Sequence, residues 1–123
     1  MLPAGAIGKL GFRRWYEREL LLAHAWLAAC ILAAFGALAE IEQLNLRSMG
    51  AEALLPLAIA FAAGIAAWYA LSRYLHMLVR AQALAQRSTC PGCGTYGRYR
   101  LVGATPRMMI VCCRECDREW RID

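Results

Sequence analysis

Two stretches of this chain carry no Asp, Glu, Lys or Arg: LLLAHAWLAACILAAFGALA, the twenty residues Leu20 to Ala39, and ALLPLAIAFAAGIAAWYAL, the nineteen residues Ala53 to Leu71. A helix rises about 1.5 Å per residue, so each stretch reaches roughly 30 Å, the thickness of a bilayer's hydrocarbon core. Neither shows the polar face that a helix of a soluble bundle turns to water. Pro56 falls in the first turn of the second stretch, where its missing N–H does least harm, and so marks a helix start. The composition agrees, because 60% of the 123 residues are hydrophobic, too many for a soluble fold of this size. The expectation is a transmembrane hairpin of two helices over residues 20–72, with a short external loop at 40–52.

The flanks give a direction. Lys9, Arg13, Arg14 and Arg18 precede the first run, Arg73, Arg80 and Arg87 follow the second, and the connecting loop holds only Arg47. By the positive-inside rule both termini are cytoplasmic. The net charge of +5 is therefore largely explained by topology. Residues 1–19 read as a basic, aromatic cytoplasmic segment, with Trp15 and Tyr16, like Trp68 and Tyr69, as anchors at the cytoplasmic interface. A competing reading takes Ala37-Leu38-Ala39 as a signal-peptide cleavage site. The apolar run exceeds the 7–15 residues of a signal core, and the leader before it is long; even after cleavage, the second span would leave the C-terminal module cytoplasmic.

Small residues suggest how the spans meet. Ala25, Ala29, Ala33 and Ala37 recur every four residues in one helix, and Ala60 with Gly64 and Ala63 with Ala67 in the other, a pattern that lets backbones approach. Beyond the second span RYLHMLVRAQALAQR has no Pro or Gly, so the helix is expected to run on to about Arg87 as an extension over 73–89. Arg73, Arg80 and Arg87 recur every seven residues with His76 on the same side. This basic stripe either holds anionic lipid headgroups or is a solvated face that enforces topology.

The most specific signal lies at the C-terminus, where Cys90-x-x-Cys93 and Cys113-x-x-Cys116 are separated by nineteen residues, the spacing of a tetrahedral four-cysteine zinc site. In CPGCG, Pro91 sets a backbone angle while Gly92 and Gly94 let amides turn toward the sulfurs; in CRECD, Asp117 takes the place of the second glycine as a poorer occupant of a left-handed position. TYGRYRLV, RMMIVC and REWRI read as three short strands, the first two joined by a turn at Gly103–Pro106. Residues 90–123 are expected to form a small all-β zinc ribbon that cannot fold on its own apolar surface and takes its stability from one structural Zn2+.

The tail resembles the zinc ribbons of transcription factors and many small bacterial proteins. Val111 to Trp120 in particular resembles the finger-like bacterial ribbons whose second knuckle reads valine, basic residue, cysteine, two residues, cysteine, glycine, histidine, then an apolar or aromatic residue. It departs at Cys112, Asp117 and Arg118, which leaves the four ligands intact. The whole chain is similar to proteobacterial membrane proteins that pair two spans with such a ribbon, a likeness that implies no activity; the expected location is a bacterial inner membrane.

Other uses of the cysteines are weaker. Disulfides disagree with a reduced compartment and with ligand spacing. A rubredoxin-like Fe site would use the same four thiolates, and CPGCG matches half of its pattern, but the short interval between knuckles favours a ribbon. Cys112 could serve a redox switch or simply pack, and Cys30 reads as an apolar filler. His24 invites a haem or proton-relay reading, yet His76 lies past the other span at a height differing by about 13 Å, too far for the pair to sandwich one haem. Four cysteine ligands close a coordination sphere against substrate, and no nucleophile motif or phosphate loop is present, so the chain reads as a non-enzyme without a small-molecule substrate. From Cys90 to Asp123 six arginines face four acids, a balance of +2. Tyr96, Arg98 and Arg100 could share one strand face as a nucleic-acid patch. The favoured function is an interaction or assembly module for another membrane or cytoplasmic protein, with membrane lipids as its surroundings; the alternatives are a tethered nucleic-acid-binding regulator and a tethered electron carrier.

Overall fold

The computed structural model describes residues 3–44 and 50–123. The chain runs through a short helix α1 (Ala4–Leu10), a long helix α2 (Phe12–Gln43), a single 3-10 turn (Ala51–Ala53), a second long helix α3 (Leu54–Gln86), and three strands, β1 (Tyr99–Ala104), β2 (Met109–Cys113) and β3 (Glu119–Ile122). It divides into two compact units, residues 22–77 on one hand and residues 1–21 with 78–123 on the other. The expected external loop at 40–52, with Arg47, lies in part outside the described residues.

The 22–77 unit is a helical hairpin. Leu, Ala and the other straight-chain residues that fill both helices favour the conformation, and Pro56 stands in the first turn of α3 as expected. Rings pair across it: the edge of Trp26 meets Tyr69 at 5.8 Å, His24 meets Tyr74 at 6.5 Å, and the Arg73 guanidinium lies 5.9 Å from the Trp26 ring centre. These contacts fix an antiparallel register that sets residue 24 beside residue 74. The expected height difference between the histidines is corrected accordingly: His76 is only two residues, about 3 Å of rise, past Tyr74.

The seam of the hairpin also differs from the expected one. Ala23, Cys30, Ala33 and Ala37 turn inward on α2 and Ala60, Ala63, Ala67 and Ala70 on α3, whereas Ala25, Ala29 and Gly64 are exposed. A step of four residues turns 40° past a full circle, so a strict i+4 series winds off the contact face. Steps that alternate three and four hold it, as in any pair of helices packed side by side. Most of the large apolar side chains point away from the seam, with Leu32, Phe61 and Trp68 each more than 70% exposed. Both helices are long and apolar enough to cross a membrane, with 6% and 11% of their most apolar windows buried inside the fold. This is the reverse of a water-soluble distribution.

The other unit is built on a three-stranded antiparallel sheet in the order β1-β2-β3. Leu101 pairs with Val111, Val111 with Trp120 and Met109 with Ile122, and a bulge at Val102 shifts the register of β1 against β2. Alternation puts Tyr99, Met109, Val111 and Ile122 on one face, and this face is covered by Ile7 of α1, Phe12 and Trp15 of α2 and Leu84 of α3. Trp15 is 4% exposed, so it is a core residue here and not an interfacial anchor. Its spacing from Phe12 and Tyr16 repeats a helix face that the neighbouring arginines mask in the sequence. The predicted β1–β2 turn moves two residues on, where Thr105 N–H donates to the Met108 carbonyl at 2.8 Å.

Candidate metal centre

Each cysteine pair sits on a tight backbone turn held by its own amides. The Gly92 N–H donates to Cys90 Sγ and the Glu115 N–H to Cys113 Sγ, each at 3.4 Å, so the two knuckles repeat one geometry at i and i+2. Each turn closes in the left-handed region one residue after its second cysteine, with φ of 72° at Gly94 and 55° at Asp117. Glycine enters this region freely, while aspartate is one of the few other residues that tolerate it. The strand ladder and the preceding helix then aim the turns at each other. The Arg118 carbonyl accepts from Cys113 N–H at 2.9 Å, and Thr89 bridges Tyr96 across the base of the first knuckle. Ser88, fully buried, donates to the Leu84 carbonyl at 2.6 Å and meets the Tyr99 hydroxyl at 3.3 Å, while Trp120 Nε1 donates to the Arg87 carbonyl at 3.3 Å. The end of α3 is thereby locked to the sheet immediately before Cys90.

The result brings all four predicted ligands together. The sulfurs of Cys90, Cys93, Cys113 and Cys116 lie within 4.8 Å of one another, with Cys90 and Cys116 at 3.5 Å and Cys93 and Cys113 at 3.6 Å. A tetrahedron with metal–sulfur arms of 2.3 Å has edges of about 3.8 Å, so the donor set has the size and chemistry for one thiolate-bound metal ion. Two ligands are buried and two exposed.

Four thiolates this close repel one another, and the protons divide unequally among them. The Cys93 thiol is drawn down to about 6 by the Thr95 hydroxyl, 3.1 Å from its sulfur, and by the Thr95 amide. Cys90 is lowered mainly by the Cys93 amide, with burial acting against it. At Cys116 the Arg118 amide acts downward, but the contact with Cys90, burial and the remaining thiols outweigh it and push the group up to about 12. A bound cation removes this competition by stabilising all four thiolates. Thr95 was not singled out from sequence; a hydroxyl residue two positions after a knuckle cysteine is the signal that would have found it.

Cys112 stands apart from the four. It is buried on β2 beside Arg100, whose guanidinium lies 3.6 Å from its sulfur, and Asp117 at 3.9 Å. Cys30 is half-buried in the hairpin seam.

The other proposed residues are dispersed among different surroundings. Arg73 lies over Trp26, Arg87 pairs with Asp123 at 3.0 Å, Arg80 is half-buried, and His76 is exposed. Of Tyr96, Arg98 and Arg100, only Arg100 lies within β1; Tyr96 packs its edge on Phe12 at 5.8 Å. Arg98 and Arg100 point at carboxylates of the second knuckle, Glu115 at 2.8 Å and Asp117 at 3.6 Å. Comparison with protein-family models, with curated proteins and with solved structures finds no match to this chain.

Proposed function

We propose that this protein is a small integral membrane protein of a bacterial inner membrane that presents a structural zinc ribbon to the cytoplasm as an interaction or assembly module. The observation that carries the reading is the convergence of four cysteine sulfurs within 4.8 Å in a unit whose polypeptide continues into two helices long and apolar enough to cross a membrane. An all-cysteine sphere offers no open position for water or substrate, which favours a structural metal and a non-enzymatic role. Zinc is favoured over iron by the short strand-bearing interval between the knuckles. Cytoplasmic placement rests on the arginines that flank both apolar runs, and the proteobacterial assignment on resemblance alone. A tethered nucleic-acid binder is the weaker reading, because Arg98 and Arg100 are engaged by Glu115 and Asp117.

Elemental analysis of the purified full chain tests the core of the proposal. One zinc per chain, with four thiols becoming reactive on chelation, supports it. One iron per chain with a visible thiolate-to-iron absorption replaces it with a tethered electron carrier. The absence of any stoichiometric metal removes it.

A further inference from the structure

The unit that carries the four thiols also holds a cavity beside the second knuckle, whose Arg114 forms part of its wall. Where α1 ends and α2 begins, the chain opens a cavity of about 290 Å³ whose wall carries Arg13, Arg14, Arg98 and Arg114. Its position is fixed by packing. The Phe12 ring lies 5.5 Å from the Tyr99 ring and leaves so little room over Gly97 that a Cβ there would stand 3.0 Å from Phe12 Cδ1. The two residues that follow Phe12 are thus held opposite the segment leading into β1. Arg98 and Arg114 are tied to each other by the Arg114 N–H, which donates to the Arg98 carbonyl at 3.0 Å.

Four arginines line this cavity, and only part of their charge is answered. Arg13 pairs with Glu17 at 3.0 Å and Arg98 with Glu115 at 2.8 Å, while Arg14 and Arg114 have no ion pair among the described residues. Four cations less two carboxylates leave +2 at the rim, which matches a phosphate monoester of about −1.5 to −2 charge at neutral pH. The guanidinium fork also suits phosphate oxygens, which it binds in pairs. Trp15 N–H makes the first helical hydrogen bond of α2, to Gly11; the amides of residues 12–14 add to the positive field without being required for the argument.

The position along α2 indicates the source of the phosphate. Arg14 precedes Leu20, the first residue of the uncharged run, by six residues, about 9 Å along the axis. Headgroup layers extend about 5–8 Å beyond the hydrocarbon core, so Arg14 stands at the outer edge of that layer on the same continuous helix, within side-chain reach of lipid phosphates once that run is in a bilayer. A half-open cavity walled by arginines suits one phosphate better than the succession of phosphates along a nucleic-acid strand. We propose that this cavity binds the phosphate headgroup of an anionic phospholipid, most simply a phosphate monoester such as phosphatidic acid. The lipid source, though not the phosphate chemistry, rests on the reading that the apolar runs span a membrane.

The test is titration calorimetry on the full metal-loaded chain in neutral detergent, with water-soluble dihexanoyl phosphatidic acid, dihexanoyl phosphatidylcholine, inorganic phosphate and a single-stranded RNA as probes. The expected result is phosphatidic acid binding at least tenfold tighter than either phosphatidylcholine or inorganic phosphate. Arg14→Gln and Arg114→Gln should each weaken it about tenfold, with Arg14→Lys intermediate and Arg107→Gln, outside the cavity, unchanged; equal metal content across the variants reports an intact fold. Equal affinity for phosphatidic acid and inorganic phosphate would overturn the lipid source. No binding by either, or displacement of phosphatidic acid by RNA, would overturn the site. Failure of the membrane reading registers separately, as release of the protein from cell membranes by alkaline carbonate.

Discussion

Two adjacent cysteines on β2 have different surroundings. Cys113 contributes to the four-sulfur cluster and receives the Glu115 amide; Cys112 is equally buried yet faces Arg100 and Asp117. Cys113→Ser should reduce bound metal from one per chain to a small fraction, whereas Cys112→Ala should keep full stoichiometry at a stability cost of about 1 kcal/mol, both measured by elemental analysis and thermal unfolding. Serine binding metal normally at position 113 would show that the cluster is not the site. Tyr99 supplies a pH prediction. Burial raises its hydroxyl from 10.0 to about 12, against the contribution of Ser88. Between these values the unfolded chain loses the proton first, so the burial of neutral Tyr99 supports the fold fully below about pH 10 and ceases to as pH approaches 12. Unfolding midpoints of the metal-loaded chain should therefore fall across pH 10–12, and Tyr99→Phe should flatten the fall.

At the scale of elements, the hairpin depends on small side chains at positions the sequence only half revealed. Ala70 is 3% exposed, and a larger residue there would force the helices apart. Ala70→Leu should destabilise the hairpin by about 1–3 kcal/mol. Gly64, which the i+4 pattern also suggested, faces open space rather than the other helix; Gly64→Ala should stabilise by up to about 1 kcal/mol through helix propensity. Denaturant titration of both variants in mixed micelles compares them, and equal effects would mean that Gly64 shares the seam. The spans, the continuation of α3 to Gln86 and the three strands were legible because period and length are local properties. The seam was not, because alanine is frequent on every face of these helices and only the packed partner selects among them. Nor was the role of α1. Ile7 and Trp15 carry the apolar signal for a core, but Lys9, Arg13 and Arg14 around them read equally well as a topogenic flank, and the strands that decide between these readings lie more than eighty residues away in sequence.

For the molecule as a whole, packing takes on part of the stabilising work that the sequence assigns to a metal in the three-stranded unit. Three strands alone bury too little apolar surface to fold, yet their inner face meets Ile7, Phe12, Trp15 and Leu84, so helical contacts supply part of what the sequence assigns to metal. The 22–77 hairpin has no cysteine of the cluster and its helical hydrogen bonds are local. Chelation at neutral pH should therefore act on one unit: far-UV circular dichroism should keep most of its helical signal, while the environment of Trp15 and Trp120 should become more polar. Single-tryptophan variants retaining Trp120 or Trp26 resolve the two units, the former expected to shift its emission to the red on metal removal and the latter to hold. If Trp120 emission does not move, the contacts with α1, α2 and α3 are enough to hold the sheet without metal, and the four thiols then serve exchangeable metal binding on a preformed site. If Trp26 moves as well, the two units unfold together and the long helices transmit the loss of metal into the hairpin. The predicted outcome is the intermediate one, because a metal ion bound by the four thiols would tie the two knuckles together, while the ring contacts across the hairpin involve no group that a chelator touches.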